Sequence, residues 1–291
     1  MSMRVTGPLA AARRWGASSL RARVAGQDAQ ERAERIWGSP GDRWFTPRDA
    51  IWRVHLDASM FSGGIRALLL QSLHPLALAG VEQHSDYRDD PWSRVANTSA
   101  YIAATTFGTI EHAEEVIARV RRIHGFVRGT AEDGRPYAAD DPHLLLWVHV
   151  AEIESFLTTY QRYGSSRLRQ AEADEYVAQA AIPARLLGVT NPPETEAELR
   201  RVLEGFRPEL AGTREARRVA RFLLLDPPLP LPARPGYAAL AAGAVATMPR
   251  WSRSMLGLPT SPAVDLALGR PAGRTATAAV RWLMEDPSLA R

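Results

Sequence analysis

His124 lies on an apolar stripe formed by Val116, Ile117, Val120, Ile123 and Val127, with Glu114, Glu115, Arg119, Arg121 and Arg122 opposite. An imidazole that faces inward must find a hydrogen-bond partner or coordinate something, because burying it unpaired is costly. It reads either as a hydrogen-bonded core histidine or as a ligand. Arg94, Asn97 and Thr98 stand at i, i+3 and i+4 and share one helical face, which Tyr101 and Thr105 extend. Such a stripe is either a solvated face or a polar strip turned toward a cavity. Val95, Ala96, Ala100, Ile102 and Ala103 wrap the remainder. His149 sits within the run Leu144 to Val148, with Glu152 three residues on. A lone His-x-x-Glu lacks the second histidine of a zincin and the repeated Glu-x-x-His of a di-iron bundle. There is no Gly-x-Ser-x-Gly elbow and no Gly-x-Gly-x-x-Gly turn.

The composition narrows the chemistry further. Cysteine is absent from the 291 residues, and all 36 basic residues are arginine. This excludes disulfides, thiol nucleophiles, iron–sulfur clusters and thiolate-held haem or zinc. It also excludes a Schiff-base lysine and a P-loop lysine. The net charge of +4 is modest and dispersed, so no nucleic-acid partner is expected. Arg13-Arg14 is followed at once by further charge, at Arg21 and Arg23, rather than by the apolar stretch of an export signal. Ile65 to Val81 is interrupted by Arg66, Gln71, His74 and Pro75, and Tyr237 to Met248 is too short for a bilayer of about 30 Å. A soluble, cytoplasmic protein without stable membrane insertion is the expectation.

The elements that must position these residues read as helices. Thr46-Pro47, Asp90-Pro91 and Asp141-Pro142 are start signals, and Thr109 caps a helix predicted over Ile110 to about Arg128, with Gly129 as its stop. A central helix from about Gly64 is kinked at Pro75. Further helices are expected near 170–187, 195–205, 213–223 and 235–248, and no run alternates with period two. The fold class is all-α, with residues 1–40 as a partly ordered arm, 41–260 as one multi-helix domain and 261–291 as a tail packed on it.

Several segments in register resemble one family. They are Gly41-Asp42-Arg43-Trp44-Phe45 with Trp52-Arg53-Val54-His55; His74-Pro75 through His84-Ser85-Asp86-Tyr87-Arg88; Asp90-Pro91 with Arg94 and Thr98; and Thr106-Phe107-Gly108-Thr109. The series continues with Arg121-x-x-His124-x-x-Val127-x-Gly129, Tyr137-x-Ala139-x-Asp141-Pro142 and Trp147-Val148-His149. Together they resemble the catalytic domain of the oxygenase MpaB and rubber oxygenase (latex clearing protein) family. The resemblance implies a globin-like all-α core holding haem b (iron), and cleavage of isoprenoid double bonds with dioxygen. By motif it makes His124 the iron ligand and Arg94 and Thr98 distal groups. His149 falls beside the cofactor. Asn97 stands where rubber oxygenases carry a lysine able to ligate iron. With no lysine in the chain, the haem propionates would meet arginines. The absent export signal argues against rubber itself and for a small apolar, olefinic or isoprenoid-like substrate. The alternative is a non-catalytic haem- or lipid-binding scaffold retaining the fold, a reading that Asn97 encourages.

Overall fold

The computed structural model describes residues 29–85 and 91–285, with the side chains of Pro91 and Trp92 left aside. Within the expected arm, residues 1–28 lie outside this range, and Ala29–Trp37 forms a helix, α1. There follow α2 (Ala50–Leu56), α3 (Ser59–Gln71), α4 (Pro75–His84), α5 (Pro91–Phe107) and α6 (Ile110–His124). A hairpin of β1 (Arg128–Thr130) and β2 (Pro136–Ala138) separates these from α7 (Pro142–Tyr163), α8 (Gln170–Leu187), α9 (Glu196–Gly205) and α10 (Arg214–Leu225). The chain closes with α11 (Arg234–Thr247), α12 (Arg250–Leu256), the short α13 (Pro262–Val264), a π turn over Asp265–Gly269, and α14 (Arg270–Met284). Among the described residues the fold is all-α but for one small hairpin.

The core is built where α3 lies along α7, with α11 covering α3 and α14 covering α11. Both central helices are apolar nearly all round. Leu69, Leu70, Trp147 and Val150 are fully buried, as the residue distribution of a central helix requires. The α11–α14 crossing brings Gly243 and Gly273 backbone to backbone; a Cβ on Gly243 would stand 2.5 Å from the Gly273 Cα. Pro75 does more than kink a helix. The chain breaks at Ser72 to His74, and α3 and α4 meet at 106°, because proline has no N–H to continue the ladder and clashes with the preceding turn. No helix among the described residues is long and apolar enough to cross a membrane by itself.

Two further expectations need correction. The helix begun by Thr109 ends at His124, with Gly125 as its cap, and not near Arg128. Gly129 belongs to β1, pairing with Tyr137 across an antiparallel register that matches Arg128 with Ala138. The glycine is needed for space there, since a Cβ would meet the Tyr137 hydroxyl at 2.5 Å. That hydroxyl donates to Gln83 Oε1 at 2.7 Å, which anchors the hairpin on α4.

Candidate active site

The second cluster of helices positions the groups able to do chemistry. α5 packs on α6, α6 on α8, and α2 on both α5 and α8, while α8 leans on α7. Thr109 Oγ1 accepts from the His112 N–H and starts α6. The other end of α6 is tied to the end of α8 by Arg121, which donates to the Leu186 carbonyl at 3.2 Å. α7 starts from Asp141, whose side chain accepts from the His143 N–H at 2.9 Å.

His124 is the last residue of α6 and is half-buried. Its Nδ1 is buried and has no hydrogen-bond partner. Burial holds the imidazole below its ordinary pKa despite an opposing pull from Asp140, so the ring is neutral at pH 7. A neutral imidazole with a free nitrogen is a competent metal ligand. The apolar stripe that predicted an inward face is only partly covered: Ile117 is buried and Val116, Val120 and Val127 are half-buried, whereas Ile123 is exposed, as is Phe126 just beyond the helix. The end of α6 is therefore open on the side where the stripe runs out.

His149 projects from α7 with its Nε2 buried and unpartnered. Burial, reinforced by the charge of Arg185, pushes its pKa down to about 4. One turn on, burial pushes Glu152 up to about 7. Two tyrosines feel that carboxylate, Tyr101 from α5 and Tyr176 from α8. Both have hydroxyls raised above their usual pKa, first by burial and second by the charge of Glu152. His55 on α2 closes the group. Its Nδ1 is 2.8 Å from Thr106 Oγ1 and its Nε2 is 3.2 Å from the Tyr176 hydroxyl. Burial lowers its pKa to about 3, so it serves as a neutral bridge among α2, α5 and α8.

The remaining residues singled out from sequence lie on α5. Arg94 is half-buried, and Asn97 and Thr98 are exposed. Thr105 donates its hydroxyl to the Tyr101 carbonyl at 2.9 Å, so that member of the stripe is taken up by its own helix. Glu152 gained no role from its sequence context, and Tyr176 and His55 had no separate signal. Their polarity within apolar helices was visible, but their convergence depends on which helices pack together. At the far end of α7 an arginine-rich cleft of about 550 Å³ is lined by Arg162, Arg167, Arg250 and Arg270; none of the sequence candidates reaches it.

A carboxyl poised near neutrality beside two tyrosines, with the unpartnered imidazole of His149 one turn away on the same helix, makes a candidate site for handling protons. Residues 52–282 match the family described as ER-bound oxygenase mpaB/B'/Rubber oxygenase, catalytic domain. The chain belongs to this family. It is an oxygenase-family oxidoreductase, and the match takes in every candidate residue above. No curated protein and no solved structure gives a significant match.

Proposed function

We propose that this oxygenase works with haem b, held through His124, on a small apolar olefinic or isoprenoid-like molecule and dioxygen. The observation that carries the reading is the His124 nitrogen left buried without a partner at the end of α6. An imidazole in that state fits a haem iron, since coordination would remove the cost of its burial. His149 offers a second unpartnered nitrogen on α7, one turn before Glu152. Arg121 and Arg185, near the ends of α6 and α8, offer positive charge for propionates at that end of the molecule.

Bound haem would supply dioxygen activation, a chemistry that no side chain here can perform alone. The chain's own residues supply position, charge and protons. Arg94 stays charged in a dry environment and is the group proposed to stabilise developing negative charge, with Thr98 and Asn97 as its neighbours on α5. Glu152, poised near pH 7, can give or accept a proton at its carboxylate oxygens. The raised Tyr101 and Tyr176 hydroxyls stay protonated and act as donors. The exposure of Asn97 and Thr98 favours the second reading, a haem- or lipid-binding protein without turnover.

Purified protein should give a Soret band and a pyridine haemochrome, and should consume oxygen when prenylated or terpenoid olefins are added. Haem without oxygen consumption across such a panel would select the binding protein. A colourless protein that rejects haemin would remove both haem readings.

A further inference from the structure

His74, His143 and Glu209 come together from three separate elements. His74 caps the N-terminus of α4, His143 is the second residue of α7, and Glu209 ends the 3₁₀ turn Arg207–Glu209. One ligand atom from each lies within 4.8 Å of the other two. His143 Nε2 stands 2.8 Å and 3.0 Å from the two Glu209 oxygens, and His74 Nε2 is 3.5 Å from Glu209 Oε2.

The unusual member is His74. It is 1% exposed, yet neither ring nitrogen has a hydrogen-bond partner. A carboxylate 3.5 Å away does not satisfy it, and an imidazole with both nitrogens unmet inside a protein is a large uncompensated cost. Trp147 and Phe206 wall the site, with ring centroids 6.1 Å and 6.3 Å from that of His74. On the other side His143 and Glu209 are exposed.

We propose that these three residues form a mononuclear site for a divalent first-row transition metal, one that uses neither His124 nor Glu152. Two imidazoles and one carboxylate favour Zn²⁺, Fe²⁺ or their neighbours over Mg²⁺ or Ca²⁺. Ligands bound at about 2.1 Å and at right angles stand about 3 Å apart, close to the separations seen here. Three protein ligands with an open outer side leave coordination positions for water or a small molecule. The metal would also clamp α4, α7 and the 3₁₀ turn together. Arg135 acts on both His74 and Glu209 and opposes a cation, but Asp133 holds its guanidinium through two hydrogen bonds.

The test is calorimetric titration of chelator-treated protein with ZnCl₂, alongside elemental analysis of protein purified without chelator. One equivalent should bind at sub-micromolar Kd. His143→Ala and Glu209→Gln alter exposed side chains, so the fold should survive, and each should weaken Zn²⁺ at least tenfold with an unchanged circular dichroism spectrum. His124→Ala should bind Zn²⁺ like the parent, which separates this site from the proposed haem ligand. A parent that takes up no Zn²⁺, or His143→Ala and Glu209→Gln variants that bind like the parent, would leave only a surface ion pair and overturn the proposal.

Discussion

Glu152 and Glu154 stand two residues apart on α7, yet they belong to different regions of the molecule. Glu154 faces α3, where Arg66 reaches both of its oxygens while also donating to Ser155 Oγ at 2.7 Å and to the Thr247 carbonyl at 3.3 Å. The same region holds Arg253 against Asp265 through two bonds of 2.7 Å and 2.8 Å, and Arg281 against Asp57 at 3.0 Å. Glu152 faces the α2–α5–α8 side, where no cation pairs with it among the described residues and its neighbours are tyrosines. On the first side each of these buried charges has a partner, and the group reads as architecture. On the second, Glu152 has no cation to pair with and His149 Nε2 is buried without a partner, an arrangement that costs stability and is typical of sites where chemistry is done. One helix carries both, and the change of register between residues 152 and 154 selects which side each carboxylate meets.

The largest effect expected from this contrast is on the architectural side. Arg66→Ala strands Glu154 in the α3–α7 interface, and breaking a buried pair from one side costs about 3–5 kcal/mol. Urea denaturation should register that loss. A variant as stable as the parent would show that Glu154 has another way to be satisfied.

Glu152→Gln should behave in the opposite sense. Its folded pKa of about 7 lies above the ordinary carboxylate value, so the folded state binds the extra proton between the two. Stability contributed by protonated Glu152 is present at low pH and is lost as pH rises toward 7. Gln removes that penalty. The variant should be more stable than the parent at pH 8, by on the order of 1–2 kcal/mol given partial exposure, and nearly equal to it at pH 4. Turnover should fall about 10²–10⁴-fold if the carboxyl handles a proton. A variant that is less stable at pH 8 would mean that Glu152 is charged and paired after all.

The helices were legible in the sequence where a side-chain cap fixed an end, but Thr46-Pro47, read as a start, lies in the turn before α2, which begins only at Ala50. Asp141-Pro142, Thr195 and Thr213 begin α7, α9 and α10 with side chains accepting from the first-turn N–H groups. The hairpin was not legible, since strands of three residues are too short to display period two. The polar strip on α5 was half legible. Tyr101 turns inward toward Glu152, but Asn97 and Thr98 on the same face are exposed. Glu152, Tyr176 and His55 could be seen one at a time, but not together, because helix packing brings them into one group. The same holds for His74, His143 and Glu209, which are far apart in the chain.

The smallest of these effects concerns the helix that carries His124. Thr109→Ala removes the cap of α6 and should cost about 1 kcal/mol, read as a small drop in midpoint temperature. It should leave ligand binding at the other end of the helix intact. A loss of binding larger than the loss of stability would couple that end to the cap.

The proposed iron ligand is His124, the unpartnered imidazole at the end of α6. Titrating haemin into haem-depleted parent, His124→Ala and His149→Ala, followed at the Soret band, tests it most directly. The parent and His149→Ala should each saturate at one equivalent, and His124→Ala should bind at least tenfold more weakly while keeping its helical circular dichroism. Equal binding by His124→Ala, or loss of binding in His149→Ala alone, would contradict the claim and move the ligand to α7.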